Sequence, residues 1–178
     1  LNKGIKKATG EIIGFVHSDD LLENDDIINE LVNLFLENKF DGVYGNLKYI
    51  SDYNSKKVIR NWISNEFKYN DLKKGWMPPH PTLFLKKIIY EKHGLYNLSY
   101  SISADYDFIL RIFSDKNNKF GFYNQTVTKM RLGGISNRNL KNILNKMNQD
   151  IKIMKKNKIP FFAAIILKNL TKIKQFFK

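Results

Sequence analysis

The chain contains no cysteine and only three histidines among its 178 residues. Without cysteine, neither a disulfide framework nor a thiolate metal site can form, and so few scattered histidines argue against a histidine-based zinc site. No apolar run reaches the roughly 18 residues that a membrane-spanning helix needs. These absences suit a reducing cytosol, so we expect a cytoplasmic protein.

Acidic residues are also scarce, with 17 Asp and Glu against 30 Lys and Arg, which gives a formal net charge of +13. The excess lies mainly in the C-terminal part, because the stretch from Lys141 to Lys178 holds one acid, Asp150. Such a charge is typical of a chain that meets a polyanion, whether anionic lipid, nucleic acid or a phosphorylated ligand. Lys, Asn and Ile are abundant together, so the codon usage of an AT-rich gene explains the excess equally well.

The remaining composition, 43% hydrophobic and 13% aromatic, is enough for one sizeable core. Residues 2–9 read as the end of a helix that Gly10 terminates. Residues 11–16 form a short apolar run, typical of a buried parallel strand. After the acidic pair Asp19-Asp20, Asn24 can cap a second helix. Its predicted apolar face comprises Ile28, Leu31, Val32, Phe35 and Leu36.

The first forty residues therefore read helix, strand, acidic loop and helix, which is an α/β layout. Residues 43–50 and 56–62 then predict an antiparallel hairpin, and three prolines within 77–81 predict an extended path without helix. The elements predicted beyond this loop are a strand at 82–85, helices at 86–93 and 104–113, two short strands near 120–122 and 126–131, a mobile loop at Gly133-Gly134, a basic helix at 139–158, and a last amphipathic helix after Pro160.

The pair Asp19-Asp20 stands where the first predicted strand ends, which is where ligands bind in open α/β sheets. Adjacent carboxylates repel each other, and hard oxygen ligands of this kind suit Mg²⁺ or Mn²⁺ that carries a diphosphate. Taken alone, the pair fits a solvated loop or a helix cap just as well.

Asp105 opens the helix predicted at 104–113, where an acid can be a cap or a general base. Asp107 is its natural rival and points to a different face of the helix. His80 lies between prolines, which hold its backbone rigidly and can aim its side chain at a ligand. By itself, however, a lone histidine is as well explained as a packed or surface group, and His17 can face the core.

Several stretches, in order, resemble family 2 glycosyltransferases of the GT-A fold. They include Asn2-Lys3-Gly4-Ile5, Ala8-Thr9-Gly10-Glu11-Ile12-Ile13 and Ser18-Asp19-Asp20. Three later stretches are similar to a branch that makes bacterial exopolysaccharide and lipopolysaccharide O-chains, including colanic-acid-type enzymes. They are Gly75-Trp76-Met77-Pro78-Pro79-His80-Pro81-Thr82, Gly94-Leu95-Tyr96 with Ala104-Asp105-Tyr106-Asp107-Phe108, and Met130-Arg131-Leu132-Gly133-Gly134-Ile135-Ser136-Asn137.

The resemblance implies an inverting transferase in which Asp105 is the catalytic base and Ser18-Asp19-Asp20 is the DXD-type element. It implies that Asp20 binds Mg²⁺ or Mn²⁺ and that Asp19 contacts the nucleotide ribose or shares the metal. Further residues receive a role by the same resemblance. Asn2, Lys3 and Gly4 lie near the nucleotide, and His80, Arg131, Gly133 and Gly134 lie near the acceptor or the diphosphate.

The sequence departs from the family pattern at two places. His17 stands where the family more often has Asp or Asn, which can alter the nucleotide contacts. Family members also begin with further βα units of ~30 residues each, so we expect that roughly 80–90 residues of a nucleotide-binding half are absent. The strand at 12–16 would then be exposed as a sheet edge.

We therefore expect an α/β chain with a GT-A, Rossmann-like mixed sheet that lacks its first strands, over residues 1–138, and a basic helical tail over 139–178. The implied donor is a nucleotide sugar, with a UDP-sugar preferred, and the implied acceptor is a saccharide or a lipid-linked sugar. The tail suits peripheral docking on the inner face of the plasma membrane, and it suits a solvated helical cover on the domain equally well. The alternatives are an inactive or split remnant and a basic nucleic-acid-binding protein, although no nucleic-acid-binding signature is present.

Overall fold

A computed structural model describes residues 1–18, 20–51, 57–131 and 140–174. In these ranges strands and helices are interspersed along the chain. The strands are β1 Ile12–Ile13, β2 Asp20–Leu22, β3 Gly42–Ile50, β4 Val58–Trp62, β5 Phe84–Lys86 and β6 Phe120–Arg131. The helices are α1 Asn2–Lys7, α2 Ile27–Asn38, α3 Lys87–His93, α4 Ala104–Ser114, α5 Leu140–Lys156 and α6 Phe161–Lys174, and short 3₁₀ helices span Tyr69–Lys74 and His80–Thr82.

The strands form one mixed sheet in the order β1-β5-β3-β6-β2, and β4 pairs with β3 in addition. Strand β3 runs parallel to β6, and the other pairs are antiparallel. The predicted hairpin of β3 and β4 is confirmed, with Leu47 opposite Trp62. The mixed sheet and its helical cover confirm the predicted fold class.

The main core lies between the sheet and helix α4, whose Phe108, Ile109 and Ile112 are completely buried. Helices α5 and α6 contribute to the same core through Ile153, Met154 and Ala164, which are also inaccessible to solvent. The apolar faces of α5 and α6 therefore pack against the part of the chain that carries the sheet, as the predicted amphipathic pattern of the basic segment allows. In the described part of the chain, no helix is long and apolar enough to cross a membrane.

Strand β1 differs from its prediction in length and direction. It has two residues and pairs antiparallel with β5, Ile13 lying opposite Leu85. The prediction of a parallel strand rested on an apolar run. A strand that is buried on both faces has such a run whether it pairs parallel or antiparallel. As expected, β1 stands at one end of the strand order.

Three further expectations were wrong in detail. Asp20 does not lie in a loop, because it begins β2 and pairs with Met130. The two short strands expected around 120–131 are one strand, β6, which follows β3 through register shifts at Asn46. Residues 80–82 form a 3₁₀ turn in spite of Pro81, because proline is tolerated in the first turn of a helix.

Helix α2 begins later than expected, at Ile27, with Asp26 at its N-cap and no side-chain cap hydrogen bond. Asn24 lies in the turn before it. Asn24 Oδ1 accepts hydrogen bonds from the backbone N–H groups of Asp26, at 2.9 Å, and Ile27, at 3.1 Å. The buried face comprises Ile27, Leu31 and Phe35. Two residues of the predicted face, Ile28 and Leu36, are exposed instead.

Candidate active site

The loop that carries His80 is fixed to the sheet on both sides. The buried Thr82 hydroxyl oxygen lies within hydrogen-bond distance of two carbonyl oxygens, Gly45 at 3.0 Å and Pro79 at 2.8 Å, which share its one proton. It also accepts from the Gly45 N–H at 3.2 Å. On the other side, Thr128 Oγ1 donates to the carbonyl of Pro81 at 3.0 Å. Strands β3 and β6 therefore hold His80 from both directions.

The side chain of His80 belongs to an aromatic–histidine cluster, defined by Phe15, His17, His80 and Tyr96. His80 stacks on Phe15 with ring centroids 6.4 Å apart, and its Nε2 shares a hydrogen bond of 2.8 Å with the Tyr96 hydroxyl. The ring of His17 lies 6.0 Å from that of His80. His17 is exposed, so the suggestion that it faces the core was wrong.

Burial lowers the pKa of His80 below its usual value, and the neighbouring His17 acts in the same direction. The negative charge of Asp105 opposes this change. It also contributes to the raised pKa of Tyr96, which is caused mainly by burial. The lowered pKa favours the neutral imidazole of His80 at neutral pH, with the Tyr96 hydroxyl in hydrogen-bond contact and the charge of Asp105 within electrostatic range.

Asp105 stands in the first turn of α4 and is partly buried. One of its oxygens, Oδ1, accepts a hydrogen bond of 2.7 Å from the backbone N–H of Tyr106. The structure therefore brings Asp105 and His80, which are 25 residues apart in sequence, into one site. A carboxylate so placed can accept a proton from a hydroxyl group bound beside the cluster.

The rival acid, Asp107, has a structural environment. It is 1% exposed and accepts a hydrogen bond of 3.0 Å from Arg111 Nε, one turn later on the same helix. Arg111 also donates to the carbonyl oxygens of His93 and Leu95. Asp107 thus holds an arginine that ties α4 to the end of α3, and it does not face the cluster as Asp105 does.

The predicted nucleotide residues of α1 lie at the edge of the cluster. Asn2 donates from Nδ2 to the carbonyl of Tyr96 at 2.9 Å and accepts from the N–H of Tyr96 at 3.1 Å. Gly4 is so close to the Phe15 ring that a Cβ atom would lie 3.9 Å from it. Lys3 is exposed. Asn2 therefore positions the backbone that carries Tyr96, and contact of these residues with a nucleotide remains a prediction.

Asp20 and Arg131 form a second group on the sheet. Asp20 is 6% exposed and pairs with Met130, the residue next to Arg131. Its charge contributes to the raised pKa of Tyr49, after the larger effect of burial, while Arg60, 4.6 Å from the Tyr49 ring, opposes the rise. Arg131 is exposed at the end of β6, opposite Ile50 of β3.

Strand β6 connects the two groups. Met130, the partner of Asp20, follows two residues after Thr128, whose hydroxyl holds the His80 loop. Two residues of a strand span about 7 Å. Asp20 and the aromatic–histidine cluster therefore border the same stretch of β6.

Asp19, Gly133 and Gly134 lie outside the described residues. Among the residues that are described, no group of three acids, histidines or cysteines could hold a metal ion. Asp20 offers a carboxylate, the donor type that Mg²⁺ and Mn²⁺ prefer. Metal binding by Asp20 and Asp19 therefore stays a prediction.

A surface pocket of about 490 Å³ lies beside β2 and is lined by residues that include Glu23, Asn24 and Lys129. None of the predicted site residues that the structure describes lines it. Glu23 forms ion pairs there with Lys48 at 3.1 Å and with Lys129 at 3.6 Å. We therefore place the candidate active site at the aromatic–histidine cluster and Asp105.

Sequence reasoning missed two contributors to this site. Tyr96 lies in a motif that resembles the family, but nothing in the sequence shows that its hydroxyl meets His80. Gln149 of α5 accepts hydrogen bonds from the N–H groups of Ile102, at 3.1 Å, and Ser103, at 3.0 Å, just before Asp105. A glutamine in a lysine-rich helix gives no signal of such a contact.

The curled mixed sheet with its helical cover is the GT-A arrangement, and solved structures share it. The structure of S. aureus TarS 1-349 matches with a TM-score of 0.58 at 13% identity, covering 86% of this chain and 43% of that chain. Its complex with UDP gives a TM-score of 0.59 at 13% identity with the same coverage. Its complex with UDP-GlcNAc gives 0.61 at 14% identity, covering 86% of this chain and 45% of that chain.

The sequence model described as Glycosyl transferase family 2 matches residues 1–94, which is more than half of the chain. The chain therefore belongs to glycosyl transferase family 2. Among curated proteins, none matches its sequence. The chain spans less than half the length of the TarS structures that it resembles.

Proposed function

We propose that this chain carries the catalytic base and the acceptor side of an inverting glycosyltransferase. The enzyme would transfer a sugar from a nucleotide-sugar donor to a saccharide or lipid-linked acceptor in the synthesis of a bacterial surface polysaccharide. The observation that carries the proposal is that the charge of Asp105 acts on His80, whose Nε2 shares a hydrogen bond with Tyr96 in the aromatic–histidine cluster. Family membership supports the reaction class.

In the proposed reaction, the Asp105 carboxylate takes the proton of an acceptor hydroxyl group. The hydroxyl oxygen forms a bond to the anomeric carbon of the donor, on the face opposite the nucleotide. The bond from that carbon to the phosphate oxygen breaks, and its electron pair leaves with the nucleoside diphosphate. Phe15 and Tyr96 offer aromatic surface beside this position, and His80 offers an uncharged imidazole that can bond to a sugar hydroxyl.

A divalent cation would be held by Asp20 and Asp19. When bound, Mg²⁺ or Mn²⁺ supplies positive charge to the departing diphosphate. Asp20 is suited to this role by its carboxylate and by its position along β6 from the His80 loop. Binding of Mn²⁺ to wild type and to Asp20→Asn, measured by electron paramagnetic resonance, tests the role, and equal affinities would refute it.

The reaction is tested with Asp105→Asn. A positioned base is worth about 10²–10⁴ in rate, so turnover should fall by that factor while the donor affinity, measured by calorimetry, stays unchanged. The matched control is Asp25→Asn, the same change at an exposed residue, which should keep the wild-type rate. Full turnover in Asp105→Asn would refute the assignment.

A UDP-sugar is the proposed donor, because the TarS structures that share the fold include complexes with UDP and with UDP-GlcNAc. The choice is tested by calorimetric titration of UDP, GDP and CDP into the protein with Mn²⁺. Tightest binding of UDP supports the proposal, and preference for another nucleotide contradicts it. Failure of all three to bind would favour the alternative of an inactive remnant.

We place the acceptor at an anionic membrane surface, on its cytoplasmic side. The exposed apolar residues Phe162, Ile166 and Leu170 recur every four residues on α6, at 75%, 47% and 50% exposure. Exposed lysines of α5, including Lys152 and Lys155, lie in the same helical region. Apolar side chains flanked by lysines are typical of helices that lie in a lipid interface.

Vesicle flotation tests this surface without removing α5 and α6, which contribute to the core. Phe162→Ser with Ile166→Ser should abolish flotation with vesicles that contain phosphatidylglycerol. The variant Ile28→Ser with Leu36→Ser changes exposed apolar residues of α2 and should float as wild type does. Equal flotation of all three proteins, or none by wild type, would remove the membrane proposal.

A further inference from the structure

Two backbone N–H groups directly before α4 have their hydrogen-bond acceptor on a different helix. Ser103, the residue before the first turn of α4, is buried but makes no side-chain cap to that helix. Its backbone N–H and that of Ile102 both donate to Oε1 of Gln149, at 3.0 and 3.1 Å. One amide oxygen of α5 therefore fixes the two residues that lead into the turn of Asp105.

The amide of Gln149 is itself held in place. Its Nε2 donates to the hydroxyl of Ser101 at 2.9 Å and to Oδ1 of Asn145 at 3.1 Å. Gln149 is 9% exposed, so water has little access to replace these bonds. All the hydrogen-bonding groups of this side chain are thus directed at the segment before α4 or at its own helix.

A buried ion pair supports the same junction from α6. Lys168 Nζ donates to Asp150 Oδ2 at 2.9 Å, and both residues are buried. The same ammonium group lies 3.5 Å from the centre of the Tyr106 ring, next to Asp105. Lys168 of α6 therefore contacts both α5 and α4 near the point where Gln149 acts.

We infer that Gln149 is a positioning residue for Asp105, because it fixes the chain that enters α4 and so fixes the direction of the proposed base. The inference rests on the proposed function of Asp105, but its contacts can be tested without activity. A displacement of about 1 Å at a catalytic group can cost about 10²-fold in rate. The hydrogen bonds of Gln149 reach residues 101–103 and Asn145 and not the aromatic–histidine cluster. Its effect is therefore transmitted through the backbone of residues 102–105.

The test compares two changes of Gln149 with one control. Gln149→Met keeps the length of the side chain and removes the acceptor, whereas Gln149→Glu keeps acceptor oxygens for both N–H groups. Asn148→Leu changes an exposed residue of the same helix to a side chain of similar size. Amide hydrogen exchange by NMR and steady-state kinetics of the full protein are the two measurements.

We expect the amide hydrogens of Ile102 and Ser103 to exchange about tenfold faster in Gln149→Met, with protection unchanged in the core of β3 and β6. Gln149→Glu and Asn148→Leu should keep the wild-type exchange. In the kinetics, kcat of Gln149→Met should fall by about 10²-fold at an unchanged KM for the donor, and Gln149→Glu should restore most of it.

Unchanged exchange at Ile102 and Ser103 in Gln149→Met would overturn the inference. So would faster exchange with a wild-type kcat, since the contact would then be structural only. If the wild-type protein transfers no sugar, the proposed function fails. The exchange measurement then decides by itself whether Gln149 holds the start of α4.

Discussion

The imidazole Nε2 of His80 lies 2.8 Å from the hydroxyl oxygen of Tyr96, inside a cluster that also feels the charge of Asp105. The two residues come from separate segments, one fixed by Thr82 to β3 and the other by Asn2 to α1. Their contact joins three of the stretches that resemble the family into one site. The titration of His80 therefore reports on the geometry of the whole cluster.

The first prediction concerns the pKa of His80. Asp105→Asn removes a negative charge that favours the protonated imidazole, so the pKa of His80 should fall further below its usual value. His17→Gln removes the neighbouring imidazole that lowers the pKa of His80, so that pKa should rise. NMR titration of the imidazole carbon-bound protons measures both shifts. Unchanged titration in Asp105→Asn would show that the carboxylate lies elsewhere.

The second prediction concerns the buried pair of Asp150 and Lys168. Removing one partner of a buried ion pair leaves the other charge uncompensated, at a cost of about 3–5 kcal/mol. We expect Lys168→Met to reach about 3 kcal/mol, at the low end, because Lys146 remains 3.6 Å from Asp150. Urea unfolding at neutral pH gives the free energies.

The double variant Lys168→Met with Asp150→Asn serves as the control for this pair. It should be less destabilised than the sum of the two single changes, because neither charge is then left alone. Strict additivity would show that the two side chains do not interact in solution.

The third prediction concerns Gly45, where β3 passes a register shift against β6. A Cβ atom there would lie 2.6 Å from Val127 Cγ2 and 2.9 Å from two backbone carbonyl oxygens of β6. Gly45→Ala should therefore lower the free energy of unfolding by roughly 1–3 kcal/mol. Gly10→Ala is the matched control, since its Cβ would meet no atom closer than 3.5 Å. Equal stability of the two variants would contradict the close packing of β3 on β6.

The fourth prediction concerns acid stability. Hydrogen bonds from Lys92 Nζ, and then from the N–H of Asn117, lower the pKa of Asp115 to about 2 from its ordinary 3.8. A lowered carboxyl pKa means that the charged form of Asp115 is stabilised in the folded state relative to the unfolded state. The resulting stability is present above pH 3.8 and is lost as the pH falls towards 2.

The stability of Asp115→Asn should therefore lack this part of its dependence on pH. Denaturant unfolding between pH 5 and pH 2 measures it as a shallower fall in the free energy of unfolding than in wild type. Lys92→Met, which removes the main donor, should flatten the curve in the same direction. A wild-type slope in both variants would rule out this contribution.

Much of the fold follows from local patterns. Helix α4 lies close to its predicted bounds because its apolar residues recur at helical spacing, and Gly94 ends α3 as glycine does after a helix. The hairpin of β3 and β4 follows from two apolar runs joined by turn residues. The predicted direction of β1 was wrong because an apolar run does not show which strand it will pair with.

The sequence by itself determined the order of the family-like stretches, the α/β layout and the candidate base at the start of α4. Only the tertiary structure shows that the two acids of that helix have different surroundings. Residues two apart on a helix point about 200° apart, so one must face inward and the other away. Asp107 is buried with Arg111, while Thr82 and Thr128 hold the loop in which His80 feels the charge of Asp105. Long-range contacts of this kind, including that of Gln149 with Ser103, have no counterpart in local sequence.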